Sequence, residues 1–351
     1  MDRPGPRRAD RPPPGNPCRP DGRALVDDLL GRAVARTPLR FAPGQANSGA
    51  ALEAVTLADG TRLVVKRFSA ADDLLMRLTR DAGRAAALWT GGAFDRLPPA
   101  IDHATLAAAP EGDGWVLVMR DVGAALLGDE RTLTRAESRR ILTAAAAMHA
   151  AFAGERLAGL CAVLDWTTFM LPRVMEPWRG APGGLPDWAL RGWELFFDAA
   201  PADVAAAVAA IHNRPEALAA ELGRCEPTLV HGDLSPANVG LTPDRVVVLD
   251  WALATGGPAA LEVAAFLANF RWRVGSDPET ILADARAAAG ARHDERALGL
   301  ALLATFANYG WLFVERAVAH PVRERRPWER VHLDWWVGRI REALATAWSP
   351  A

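Results

Sequence analysis

The sequence predicts an α+β fold with two unequal lobes, a small strand-rich lobe followed by a larger helical one. Two short apolar segments, 51–57 and 61–68, flank an Asp-Gly pair that is typical of a hairpin turn. A third segment, 114–119, is apolar throughout, as expected for a strand buried on both faces. From Thr134 onward, apolar residues recur mainly at helical spacing.

Length and composition narrow the class of protein. The 351 residues suffice for two lobes with a shared cleft, and the balance of 50% hydrophobic to 23% charged residues is typical of a soluble globular protein. A net charge of -2 supplies no general attraction to nucleic acid or to an anionic membrane. A partner must therefore be recognised by a local site. Nothing in the sequence predicts an oligomeric state.

The same composition argues against several locations and site types. No apolar run reaches membrane-spanning length without a charge or a Gly/Pro break, and no apolar stretch follows the N-terminal arginines. A cytoplasmic location is the expectation. The three cysteines are far apart in sequence, which indicates neither a disulfide framework nor a clustered metal site.

The small lobe is predicted over residues 21–121. Residues 1–20 contain seven prolines and five arginines and are expected to form a disordered tail. Residues 21–36 carry apolar side chains at helical spacing, ending with Val34, and predict a short amphipathic helix. The hairpin follows, then a helix over 72–89, and then the strand at 114–119 that leads to Asp121.

The large lobe is predicted over residues 122–351. Its helices are expected at 135–152, 188–197, 201–212 and 215–222, with several more segments between 259 and 347. A strand at 228–230, a loop at 231–238 and a second strand at 246–249 interrupt this helical pattern.

That interruption carries the candidate chemistry. His231, Asp233 and Asn238 share one tight loop directly after an apolar strand, and Asp250 ends the next one. If the two strands pair with each other, Asn238 and Asp250 come together. An amide oxygen and a carboxylate are hard oxygen ligands, which suit Mg²⁺. Asp233 is then free to orient a hydroxyl group and take its proton.

The segment resembles the catalytic loop of the aminoglycoside phosphotransferase family, a branch of the protein-kinase-like fold. In that family His-Gly-Asp-x-x-x-x-Asn is followed by Ile/Leu-Asp-Trp, and the order, the spacing and the flanking strands all match here. The resemblance implies Asp233 as catalytic base, Asn238 and Asp250 as metal ligands, and ATP and Mg²⁺ as cofactors. His231 would brace the loop. Gly232 replaces the arginine of typical protein kinases, which favours a small-molecule hydroxyl as acceptor.

The resemblance extends over roughly residues 41–340 and includes a nucleotide site. Of the forty basic residues only Lys66 is a lysine, and it resembles the strand lysine that contacts the nucleotide phosphates. Ser48 and Gly49 occupy the place of the family's phosphate-covering loop, although small residues before a strand also form ordinary turns. Met119, Arg120 and Val122 resemble the linker whose backbone meets adenine.

The sequence departs from the family pattern at two places, and these departures leave alternative functions open. Kinases hold the strand lysine with a glutamate from the following helix, yet residues 83–89 contain no acidic residue, so Asp81, Asp72 or Asp73 would have to substitute. Glu262 stands where the family usually has an aspartate that supports the catalytic loop. A nucleotide-binding regulatory pseudokinase, or a helical scaffold with a coincidental loop, therefore remain alternatives to an active kinase. Substrate specificity is expected between residues 155 and 225.

Overall fold

The computed structural model describes residues 21–39, 49–128, 131–181, 184–270 and 273–348. The predicted α+β fold is confirmed, because a five-stranded antiparallel sheet forms the N-terminal region and helices dominate the C-terminal region. The predicted disordered tail at 1–20 and the predicted nucleotide contact of Ser48 lie outside the described residues.

The elements are numbered in chain order. The strands are β1 Ala33–Leu39, β2 Ala51–Leu57, β3 Arg62–Phe68, β4 Ile101–Asp102, β5 Thr105–Glu111, β6 Gly114–Arg120, β7 Thr228–Val230, β8 Val239–Leu241, β9 Val246–Val248 and β10 Thr255–Gly257. The α-helices are α1 Gly22–Gly31, α2 Leu74–Leu78, α3 Arg84–Thr90, α4 Arg135–Ala151, α5 Val163–Thr168, α6 Pro172–Met175, α7 Leu185–Ala199, α8 Ala202–Asn213, α9 Pro215–Leu222, α10 Ala260–Phe270, α11 Pro278–Ala289, α12 Glu295–Ala319 and α13 Arg326–Thr346.

The N-terminal sheet has the strand order β1-β2-β3-β6-β5. Strand β3 lies in its centre and pairs antiparallel with β2 and β6, so that Lys66 stands opposite Leu52 and Leu117. Side chains alternate between the faces of a sheet. Leu63 and Val65 are fully buried on one face, and Lys66 therefore lies on the other.

The helix predicted over 21–36 is wrong at its end. Helix α1 stops at Gly31, and Val34 lies on β1 with 67% of its surface exposed. Strand β1 pairs along β2 from Ala33 to Leu39, although Ala33, Ala35 and Pro38 give it little strand character. Pairing with a partner strand outweighs the local apolar spacing.

The single helix predicted over 72–89 is wrong in its middle. Helices α2 and α3 are separate, and the Asp81 carboxylate between them accepts hydrogen bonds from the backbone N–H groups of Gly83 and Arg84. Gly83 has a φ of 108°, outside the helical range. One helix therefore ends and a second one begins within residues 72–89, where the sequence predicted a single helix.

The strands on either side of the loop 231–238 do not pair with each other. Strand β7 pairs with β10, whereas β9 lies between β4 and β8. Asn238 and Asp250 still become neighbours, because β8 begins directly after Asn238 and β9 ends just before Leu249. The Leu249 N–H donates to the Asn238 carbonyl oxygen at 2.8 Å. A tight hairpin therefore joins them.

Helix α12 forms the centre of the helical region and packs against α7, α10 and α13. Its 25 residues are long and apolar enough by length and composition to cross a membrane, although charged residues and glycines interrupt the apolar run, as expected from the sequence. However, 83% of its most apolar window is buried inside the protein, as in the core helix of a globular fold.

Candidate active site

The structure brings the single lysine to the end of strand β9. Lys66 Nζ donates to Asp250 Oδ1 at 2.9 Å, across 184 residues of sequence. Burial disfavours the charged form of Lys66, but the Asp250 carboxylate outweighs it and raises the lysine pKa above its ordinary value. Lys66 in turn lowers the pKa of Asp250 against the effect of burial. Both groups are therefore ionised at neutral pH.

Asp233 lies beside this ion pair and is held by two amides. Asn238 Nδ2 donates to Asp233 Oδ2 at 2.9 Å, and Asn269 Nδ2 donates to Oδ1 at 3.3 Å. Burial, followed by the negative charge of Asp250, raises the pKa of Asp233 to about 8. A carboxyl group that titrates near neutral pH is suited to accept a proton from a hydroxyl group.

Buried contacts hold the backbone of the catalytic loop. The Glu262 carboxylate on α10 accepts hydrogen bonds from the His231 N–H at 2.6 Å and the Gly232 N–H at 3.1 Å. His231 is fully buried, and its Nε2 hydrogen-bonds to the Leu249 carbonyl oxygen at 2.9 Å. The His231 ring also packs against Trp251, with centroids 4.7 Å apart. These contacts link the loop to α10 and to β9.

Gly232 is required by the geometry of the loop. Its φ is 81°, and a Cβ at this position would lie 2.5 Å from the Leu253 carbonyl oxygen and 2.8 Å from the indole nitrogen of Trp166. That indole N–H donates to the Gly232 carbonyl oxygen at 3.2 Å. A side chain at this position would displace the loop that carries Asp233.

The carboxylate that bonds directly to Lys66 does not come from the helices that follow β3. Asp81 caps α3 through backbone N–H groups and makes no hydrogen bond to Lys66, although its negative charge, like that of Asp73, contributes to raising the Lys66 pKa. Asp73, which caps α2 at Met76, lies close enough for its charge to act on Lys66, and burial raises its own pKa. The direct partner of Lys66 is Asp250 itself.

Arg84 links α3 to the segment that follows Asp250. Its guanidinium is 3% exposed and donates to the carbonyl oxygens of Ala252 and Thr79. Ala252 follows Asp250 by two residues, so α3 is tied directly to the chain next to the predicted metal ligand. Arg84 was not among the predicted site residues, because residues 83–89 were compared with the family only for an acidic side chain.

Of the residues predicted to contact the nucleotide, Met119, Arg120 and Val122 lie at or just beyond the end of β6, and Gly49 lies just before β2. Met119 and Arg120 end strand β6, two and three residues beyond Leu117, which stands opposite Lys66. Among described residues the Val122 N–H makes no hydrogen bond, whereas the N–H groups of Arg120 and Asp121 bond within the sheet. Gly49 is exposed, and its backbone lies against the carbonyl oxygen of Asp72.

Asn238 and Asp250 fit a hard cation. Since the Asn238 amide nitrogen donates to Asp233, its amide oxygen is the atom left to act as a ligand. Asp250 is ionised, and 37% of its side chain is exposed. The described residues contain no cluster of three or more His, Cys, Asp or Glu side chains arranged around a cation. Further ligands would come from phosphate and water, as is usual for Mg²⁺.

Two residues beside Asp233, Asn269 and Tyr309, were not predicted from the sequence. Asn269 on α10 reaches Asp233 and the Leu234 carbonyl oxygen, both at 3.3 Å. Tyr309 on α12 is the only tyrosine of the chain, and burial together with the Asp233 charge raises its pKa. Both lie on helices that were predicted only as unspecified segments, so no motif marked them.

Glu262→Gln is expected to lower the free energy of unfolding by about 2 kcal/mol, because an amide offers one acceptor oxygen where two loop N–H groups need acceptors. Urea denaturation measures this change. Glu216→Gln, on the exposed surface of α9, is the matched control and should leave stability unchanged. Equal stability of both variants would show that Glu262 does not hold the loop.

Comparison with known proteins agrees with this geometry. The sequence profile of the phosphotransferase enzyme family (APH) matches residues 44–300. No curated protein matches the chain in sequence. Among solved structures, choline kinase LicA from Streptococcus pneumoniae is 12% identical with a TM-score of 0.54, covering 91% of this chain and 97% of LicA.

LicA in complex with AMP gives a TM-score of 0.53 at 11% identity, again over 91% of this chain and 97% of that one. Spectinomycin phosphotransferase APH(9)-Ia, solved with ADP and spectinomycin, gives a TM-score of 0.50 at 10% identity. The match covers 91% of this chain and 98% of APH(9)-Ia. These likenesses establish a shared fold. With the profile match over most of its length, the chain belongs to the phosphotransferase enzyme family.

Proposed function

We propose that this protein transfers the γ-phosphate of ATP, with Mg²⁺, to a hydroxyl group of a small molecule. The contact between Lys66 and Asp250 at 2.9 Å carries the proposal. It brings the chain's only lysine to the predicted metal ligand, one hairpin from Asn238 and beside Asp233. Three chemically demanding side chains from one loop-and-hairpin segment thus meet a fourth, Lys66, from strand β3, which supports a phosphoryl-transfer site.

Each group has a distinct role in this proposal. Asp233 orients the acceptor hydroxyl and takes its proton, for which its raised pKa is suited. Asn238 and Asp250 would hold Mg²⁺, which neutralises phosphate charge when bound. Lys66 binds the phosphate oxygens of the nucleotide. Catalysis then consists mainly of positioning and charge stabilisation.

The acceptor side of the site faces the helical region. Tyr309 lies beside Asp233, and its ring packs edge-on against Phe169 with centroids 6.0 Å apart. Phe169 belongs to the stretch 155–225 in which we expect substrate specificity. Relatives of this fold include proteins solved with spectinomycin or named as choline kinases. We extend only the acceptor class, a hydroxyl on a small molecule, to this chain.

The experiment is a panel of amino-alcohols, amino sugars and aminoglycosides incubated with ATP and Mg²⁺. Transfer is measured as acceptor-dependent ADP formation and as a phosphorylated product by mass spectrometry. We expect the wild-type chain to phosphorylate at least one acceptor, and the Asp233→Ala variant to phosphorylate the same acceptor about a thousandfold more slowly. ATP binding without transfer to any acceptor would instead favour a regulatory pseudokinase, and no ATP-dependent thermal shift would exclude both.

A further inference from the structure

A second cavity lies behind the catalytic loop. It encloses about 490 Å³ between α4, α10, α11 and the beginning of α12. Alanine is the commonest residue of its wall and includes Ala146 on α4, Ala260 on α10 and Ala285 on α11. This volume is within the range of small-molecule sites, about 300–1,000 Å³. None of the residues proposed to bind nucleotide or metal lines it.

Two buried polar groups face each other in this apolar wall. His149 is 7% exposed, and its Nε2 has no hydrogen-bond partner among the described residues. Glu262 is 1% exposed, and its Oε2 lies 3.7 Å from that nitrogen, too far for a hydrogen bond. Both side chains line the cavity. A buried nitrogen without a partner is costly, and a ligand could supply the missing bond.

The chemistry of this pair selects the ligand. A carboxylate accepts hydrogen bonds only, and its negative charge favours the His149 tautomer that carries hydrogen on Nε2. A hydroxyl group can accept from His149 and donate to Glu262 at the same time. An anionic ligand would meet the Glu262 charge in an apolar surrounding. The other ionisable residues of the wall already have partners. Arg292 and Glu226 pair with each other at 3.2 Å, His293 lies 3.0 Å from Glu295, and Asp294 accepts a hydrogen bond from the Ala297 N–H at 3.0 Å.

We propose that this cavity is a second ligand site, and that it binds a small, uncharged, mainly apolar molecule whose hydroxyl group bridges His149 and Glu262. The proposal is independent of the proposed phosphoryl transfer, since the cavity binds its ligand without turnover. It also has a consequence for the catalytic loop. A hydroxyl that donates to Glu262 competes with the N–H groups of His231 and Gly232 for the same carboxylate.

The test is a matched pair of probes, para-ethylphenol and ethylbenzene, titrated into the full-length protein and followed by NMR. We expect para-ethylphenol to bind about tenfold more tightly than ethylbenzene, the value of one satisfied buried hydrogen-bonding group. Excess ATP with Mg²⁺ should not displace it. Equal affinities for the two probes, no binding of either, or displacement by ATP would overturn the proposal.

Variants locate the bound probe. Ala146→Leu fills the cavity and should abolish binding of both probes, whereas Ala151→Leu, exposed on the same helix and outside the cavity wall, should leave binding unchanged. His149→Phe should reduce the affinity for para-ethylphenol to that for ethylbenzene, and His149→Gln, which keeps a donor, should restore part of it. Circular dichroism establishes that each variant is folded. Binding that Ala146→Leu does not weaken would contradict the assignment.

Hydrogen exchange tests the link to the catalytic loop. With para-ethylphenol bound, the backbone amides of the segment 228–238 should exchange faster, because Glu262 shares its carboxylate with the ligand. Ethylbenzene lacks the donor and serves as the control. Exchange in this segment that is the same with both probes would show that the ligand does not bond to Glu262.

Discussion

Asp233→Ala is expected to lower kcat by about a thousandfold while leaving nucleotide affinity nearly intact. Asn238 and Asn269 hydrogen-bond to the Asp233 carboxyl group, whereas Lys66 bonds to Asp250. Removing the Asp233 carboxyl group therefore removes no hydrogen bond of Lys66. Loss of a positioned base typically costs about 10²- to 10⁴-fold. Steady-state kinetics with an acceptor from the panel, together with an ATP titration, separate the two effects. Asp244→Ala, exposed in the turn between β8 and β9, is the matched control.

The pH dependence of kcat/KM in the wild-type protein is a second test of Asp233 as the base. A base must lose its proton before it can act, and burial raises the pKa of Asp233 to about 8. We therefore expect kcat/KM to rise with pH up to about 8 and to level off above it. Removing the Asn269 donor by Asn269→Ala should move this rise to higher pH. Full activity of Asp233→Ala, or a flat pH profile, would exclude Asp233 as the base.

Lys66→Met is expected to reduce kcat/KM for ATP by about a hundredfold, since the variant keeps the length of the side chain and loses its charge. Arginine at this position should restore only part of the loss, because its planar guanidinium does not match the site of a compact ammonium group. Enzyme kinetics with varied ATP measure both variants. Arg67→Met is the control: Arg67 lies next along β3, on the opposite face, where it pairs with Glu53 and Glu111.

Chemical labelling tests Lys66 without any acceptor. An acyl-phosphate derivative of ATP modifies lysine amines near the nucleotide phosphates, and this chain has one lysine. Labelling of Lys66 should be suppressed by excess ATP. Labelling that ignores ATP would show that the lysine lies outside the nucleotide site, even if the kinetic variants were impaired for structural reasons.

Much of the active site could be predicted because its parts are close in sequence. His231 to Asp250 span one loop and one hairpin, so their order and spacing are visible without a fold. The hairpin joining β2 and β3 was likewise confirmed, since its Asp-Gly turn is a local signal. By contrast, β1 and the break between α2 and α3 were missed. Each depends on a partner strand or a cap that outweighs apolar spacing.

The sequence alone thus predicted the α+β class and the family, both of which are confirmed, and it proposed the side chains of the candidate site. Only the tertiary structure decided how they are joined. Lys66 meets Asp250 across 184 residues, Arg84 ties α3 to the chain after Asp250, and Glu262 holds the loop from α10. Such contacts depend on how separate elements pack. The spacing of residues along one element shows which side chains share a face, but it does not show which distant residues that face contacts.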